Sequence, residues 1–100
     1  MSPQRDDILR FLKENKPHMR DAYHVTRIGL FGSFARNTPT EKSDIDLIVE
    51  FEDDTPNLYD LKNDLRRYIR EHLDRDVDIC REKYIKPYAR ETIMREVIYV

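Results

Sequence analysis

With one cysteine in 100 residues, the chain has no internal disulfide open to it, and Cys80 lacks the nearby Cys and His that a zinc site requires. That usage fits a reducing, intracellular setting, and a cytoplasmic location is expected. Glycine is almost as scarce, with only Gly29 and Gly32, so the loops have little glycine to draw on. Long apolar runs are also missing. The segment Met1 to His18 is broken by Arg5, Asp6, Asp7, Arg10, Lys13 and Glu14, which argues against a secretory signal, a spanning helix or any membrane partner. Neither sign of charge dominates: 18 basic and 20 acidic side chains leave a net charge of -2, which disfavours direct nucleic-acid binding.

What is present is a 39% hydrophobic, 38% charged composition, far more charged than the usual quarter or so. It predicts a single domain over residues 1–100. A chain of this length buries roughly 60 to 70% of its unfolded surface, enough for a real but thin core, so stabilisation by a partner in a hetero-oligomer is expected.

The elements follow from periodicity. Ser2 is suited to cap a helix with Pro3 at its first position, and Ile8, Leu9, Phe11 and Leu12 form an apolar stripe that ends near Asn15. Pro17 opens a further turn or two through Tyr23, and Val25 to Gly32 reads as strand. A short helix over Phe34 to Arg36 is followed by the polar loop Asn37 to Ser43. In Asp44 to Glu52, Ile45, Leu47, Val49 and Phe51 alternate with Asp44, Asp46, Ile48 and Glu50, the period of a half-buried strand. Leu58, Leu61, Leu65, Tyr68, Ile69 and Leu73 mark an amphipathic helix of about four turns. Arg75 to Arg81 is a short strand, and Lys86 to Val97 forms a closing helix with Pro87 near its start. The fold class is therefore α/β or α+β, a small mixed sheet of about three or four strands flanked by helices. The helix between the second and third strands makes a parallel crossover the default there.

Asp44 and Asp46 share one face of a strand, with α-carbons about 6 to 7 Å apart. Asp78 points away from the core filled by Val77 and Ile79 and joins them if the strands are neighbours. Three crowded carboxylates repel, and a divalent cation is the natural compensation, with oxygen-only ligands favouring Mg²⁺ or Mn²⁺ over zinc. Gly32 and Ser33 lie where a strand turns into a helix, so backbone N–H groups and a hydroxyl are available to a phosphate, and Arg36 adds charge within one turn. A side chain at Gly32 would block close approach.

The run GSFARNTPTEKSDIDLIVEF resembles the signature of the nucleotidyltransferase superfamily that includes DNA polymerase beta. Nearly the whole chain, including LFGSFAR, SDIDLIVEF, VDI at Val77 to Ile79 and the ending KPYARETIMREVIYV, is similar to the minimal nucleotidyltransferases of prokaryotes. The resemblance implies a polymerase beta-like fold and a two-metal transfer of AMP from ATP to a hydroxyl. In it Asp44 and Asp46 hold Mg²⁺ on the triphosphate and Asp78 helps activate the acceptor. Asp76, two residues away, competes for the third carboxylate position, although Asp78 has the flanking Val and Ile of the family pattern. Family members often have Gly where this chain has Asn37.

A domain this small has little left with which to build an acceptor pocket, so the acceptor is expected to arrive as a protein. The resemblance implies a HEPN-domain toxin as partner, modified on tyrosine, with this chain as the antitoxin. The alternatives are an antitoxin that neutralises by binding alone, or transfer to a small-molecule hydroxyl. Other features read as structural. Arg66, Arg67 and Arg70 interleave with Asp60, Asp64, Glu71 and Asp74 as a solvated helix face. His18, His24 and His72 lack ligand spacing, Cys80 is a small apolar filler, and Tyr59, Tyr84, Tyr88 or Tyr99 are available to a partner surface if exposed.

Overall fold

The alternating run around Asp46 becomes the second strand of a four-stranded mixed sheet. The computed structural model describes residues 3–100, which form helix α1 (Arg5–Glu14), α2 (Lys16–Tyr23), strand β1 (Val25–Phe31), α3 (Gly32–Ala35), β2 (Ile45–Phe51), α4 (Leu58–Leu73), β3 (Val77–Cys80), a 3-10 turn (Glu82–Tyr84), α5 (Pro87–Glu96) and β4 (Ile98–Tyr99). The proposed Ser2 cap lies outside the described residues. The observed N-cap is Gln4, whose backbone N–H donates to the Asp7 carboxylate at 2.9 Å, so Pro3 precedes the helix rather than opening it.

The sheet order is β3-β2-β1-β4. β1 and β2 run antiparallel, with Ile28 opposite Val49, Leu30 opposite Leu47 and Phe31 opposite Asp46. β2 and β3 run parallel as the crossover predicts, with Asp46 opposite Asp78 and Leu47 opposite Ile79. One sheet face carries the core. Leu30, Ile45, Leu47, Val49, Val77 and Ile79 meet Ile8 and Leu12 of α1, Met19 of α2, and Leu65 and Ile69 of α4, all buried. Each such aliphatic side chain contributes about 1.5–3 kcal/mol on burial, so these few residues supply most of a thin core's driving force.

The other face differs from its expected solvated character. Ile48, in register with Gly29 and Cys80, is fully buried. Val97 and Tyr99 lie so close to Gly29 that a β-carbon there would meet their side chains at 2.8 and 2.7 Å. The closing helix stops at Glu96, one residue short of the expected end. The apolar ending beyond it pairs with β1 as β4, with Gly29 opposite Tyr99 and the Val100 N–H donating to the Ile28 carbonyl at 3.1 Å. The β-branched residues Val97, Ile98 and Val100, next to an open strand edge, gain more from ladder hydrogen bonds than from another helical turn.

Glycine scarcity has a visible consequence in the turns. Among the described residues, the non-glycine residues at positive φ are His24, Asn37, Asp54, Asn57 and Asp74. Four of these are Asn or Asp, the side chains that tolerate the left-handed region best. Among the described residues no helix is long and apolar enough to cross a membrane.

Candidate active site

The C-terminal end of β1 turns directly into α3, and this turn stands beside the start of β2. The expected helix over Phe34 to Arg36 begins two residues earlier, at Gly32, and β1 correspondingly ends at Phe31. Gly32 has φ +77°, and a β-carbon built on it would overlap Oδ2 of Asp46. Glycine is therefore demanded twice, by conformation and by the packing of a carboxylate against the backbone. Ser33 is half-buried one residue on, and its carbonyl accepts from the Thr38 N–H at 2.9 Å, which closes the turn back on itself. Asn37 has φ +62°, the left-handed conformation that glycine or Asn adopts most readily.

Asp46 and Asp78 are in register on neighbouring parallel strands, so their side chains share a sheet face at one end of the sheet. Asp78 is exposed and Asp46 half-buried. Asp44 lies one residue before β2 rather than within it, is exposed, and lines an adjacent cleft of about 270 Å³ with Lys42, Arg70, Arg75 and Asp76. Asp76 is turned to other work: its carboxylate pairs with Arg70 at 3.0 Å and its carbonyl accepts from the Ile45 N–H at 2.9 Å. Of the two candidates for the third carboxylate, the fold thus sets Asp78 beside Asp46.

Burial, then the charge of Asp78, then that of Asp44, push the Asp46 carboxyl up from 3.8 to about 6, against a smaller opposing pull from Arg36. The folded chain concentrates negative charge it does not itself neutralise. Among the described residues no three acidic, imidazole or thiol groups already converge as a metal cage. Register sets Asp46 and Asp78 side by side, and Asp44 precedes the strand by one residue. The all-oxygen donor set of Asp44, Asp46 and Asp78 fits a hard divalent cation such as Mg²⁺ or Mn²⁺.

Residues 5–100 match the family model described as a nucleotidyltransferase domain. The chain belongs to that family. It is 37% identical over 95 residues to a Methanocaldococcus jannaschii chain provisionally named a protein adenylyltransferase, covering 94% of this chain and 95% of the relative. It is 34% identical to the protein adenylyltransferase MntA of Thermococcus cleftensis, covering 95% and 94% respectively. A solved minimal nucleotidyltransferase structure superposes with a TM-score of 0.75 at 30% identity, over 96% of this chain and 95% of that one. The fold is also shared with a chain of a complex between a tri-AMPylated Shewanella oneidensis HEPN toxin and MNT antitoxin, at 22% identity and a TM-score of 0.54, over 95% of this chain and 66% of that one. The expected fold and enzyme class are thereby established: this nucleotidyltransferase is a mixed α/β domain with a four-stranded sheet.

Two long-range contacts beside the site escape a motif reading. Arg75 donates to the Glu41 carbonyl at 2.7 Å and the Thr40 carbonyl at 3.2 Å, while its guanidinium stands 5.3 Å from the Phe34 ring centre. It ties the loop that carries Asp44 to the helix that carries Ser33. Arg36, assigned to phosphate by position, donates to Glu96 of α5 at 2.7 Å. Neither partnership has a sequence signal, since 34 and 60 residues separate the members.

The structural readings of other residues fare variously. Cys80 is half-buried, and burial followed by the charge of Asp78 pushes its thiol up, away from nucleophilic use. His18 and His72 pack tilted or edge-on against Phe11, Tyr23 and Tyr68 in an aromatic cluster between α1, α2 and α4. Tyr59, Tyr84 and Tyr88 are exposed as a partner surface requires. Tyr99 is not, since it lies half-buried over Gly29 with the Arg27 guanidinium 3.7 Å above its ring.

Proposed function

We propose that this chain transfers AMP from ATP to a tyrosine hydroxyl of a HEPN-type toxin and so acts as the antitoxin of a toxin–antitoxin pair. The observation that carries the reading is the in-register pairing of Asp46 with Asp78 beneath the Gly32 turn. In this reading Gly32 and Ser33 receive the triphosphate through backbone N–H groups and a hydroxyl, and Arg36 adds a cationic donor. Asp44, Asp46 and Asp78 hold Mg²⁺, as two ions, with Mn²⁺ as a substitute. When bound, the cation screens the phosphate charge and stabilises the departing pyrophosphate.

The acceptor oxygen attacks the α-phosphorus, forming a phosphodiester as the bond to the bridging oxygen of pyrophosphate breaks. In this reading Asp78, the more exposed of the register pair, takes the hydroxyl proton. The protein adenylyltransferase names of the relatives and the HEPN toxin of the fold neighbour support the acceptor class. Residues 1–100 act here as one domain, in a cytoplasmic hetero-oligomer.

Intact-mass analysis of the co-expressed or neighbouring toxin after incubation with this protein and Mg-ATP tests the proposal. Gain of one or more AMP units, mapped to tyrosine, is the expected result. Toxin suppression without any mass gain would replace it with neutralisation by binding alone, and AMP appearing on a small hydroxyl compound instead would move the acceptor class.

A further inference from the structure

Glu96 is an expensive residue where it stands. It ends α5, where the helix dipole disfavours a carboxylate, its side chain is only 14% exposed, and its charge adds to those already raising the Asp46 carboxyl. One contact offsets these costs: Arg36 Nη1 donates to Glu96 Oε2 at 2.7 Å. Arg36 itself is half exposed and follows α3 directly, two residues beyond Phe34 and three beyond Ser33. Nη1 is the only nitrogen of the Arg36 guanidinium with a partner among the described residues, so its Nε and Nη2 donors remain available while Glu96 holds one arm.

We infer that Glu96 is a positioning residue, which anchors one arm of Arg36 from α5 so that its remaining donors face the nucleotide phosphates before ATP arrives. This rests on the proposed role of Arg36 toward the triphosphate. It gives the closing helix a part in nucleotide binding that no signature residue of the chain supplies. A long side chain that is already ordered loses less freedom when the ligand binds, and that difference appears in affinity.

Isothermal titration of the full chain with AMP-PNP and Mg²⁺ tests the inference, alongside thermal unfolding to show that α5 stays docked. Glu96→Ala is expected to weaken binding about 3- to 10-fold, the scale of one side chain left to be ordered. Glu96→Gln, which keeps an acceptor oxygen for Arg36, is expected to bind within about twofold of the parent. Arg36→Gln should weaken binding, and adding Glu96→Ala to it should change nothing further. In turnover, Glu96→Ala should raise KM with kcat largely kept, a split that general loosening would not give. If Arg36→Gln weakens binding while Glu96→Ala binds as well as the parent or tighter, the inference fails alone. If Arg36→Gln itself binds like the parent, the phosphate role of Arg36 falls and takes the inference with it.

Discussion

Gly32 stands at φ +77° against the Asp46 carboxylate, so the turn proposed to hold phosphate and the strand proposed to hold metal are in direct contact. One position therefore controls both halves of the site, although 14 residues separate it from its partner. The only other glycine, Gly29, is likewise kept for space, beneath Val97 and Tyr99. Neither glycine is spent on an ordinary loop.

Gly32→Ala should lose nucleotide affinity and stability together. The left-handed conformation costs a β-carbon-bearing residue about 1–2 kcal/mol, and the overlap with Asp46 adds to it. In an Asp46→Gly background the same substitution should cost measurably less, which a double-mutant cycle in chemical denaturation reads directly. Ser33→Ala should leave stability near the parent and weaken ATP binding by about 1.5–3 kcal/mol, one hydrogen bond to a charged group. Additive costs at Gly32 and Asp46 would contradict the contact.

Asp46 should make the metal-free protein less stable as pH rises. Its folded value of about 6 lies above the ordinary 3.8, so the folded state holds the proton more tightly. The stabilisation is complete below pH 3.8 and is lost as pH climbs through 6. In chelator, the melting temperature of the parent relative to Asp46→Asn should fall across that window, and excess Mg²⁺ should reverse the fall. A parent and variant with parallel profiles would refute it. The same variant should transfer no AMP.

Asp78 and Asp76 should separate cleanly. Asp78→Asn is expected to bind Mg-ATP within a few fold of the parent and to transfer almost nothing, because the affected step is acceptance of the hydroxyl proton. Asp76→Asn loses an ion pair with Arg70 that is largely exposed, worth about 0–1 kcal/mol, and should transfer at close to the parental rate. Single-turnover assays with the partner decide between them, and parental transfer by Asp78→Asn would shift the assignment to Asp76.

Arg75→Ala should free the loop between the two halves of the signature. Two carbonyl contacts and the Phe34 stacking vanish together, so Asp44 is no longer held at a set distance from Ser33. The expected outcome is a higher Mg²⁺ requirement for ATP binding with the sheet intact by circular dichroism. Arg75→Lys should recover little, since a single ammonium cannot serve both carbonyls and the ring at once. An unchanged Mg²⁺ requirement in Arg75→Ala would remove the positioning role.

Local pattern determined a great deal of this protein. Alternation in Ile45 to Phe51 set which residues of β2 enter the core, and the spacing of Leu58, Leu61, Leu65 and Ile69 set the inward face of α4, because both periods are properties of the backbone itself. The family was legible in Gly32, Ser33, Asp44 and Asp46, which lie in a single short stretch of chain. Where two conformations were locally acceptable, pattern was not enough. The apolar ending Val97 to Val100 suits a helix tail or a strand, and only the open edge of β1 made it β4.

Tertiary structure alone decided the rest, since it depends on which distant segments become neighbours. The parallel register of β2 and β3 put Asp78 rather than Asp76 beside Asp46. Chain reversal through α5 brought Glu96 to Arg36, and the crossover brought Arg75 to the loop before Asp44. Sequence spacing carries the reach of a backbone over a few residues. A contact across 60 residues exists only after the core has closed and fixed the elements that carry its two ends.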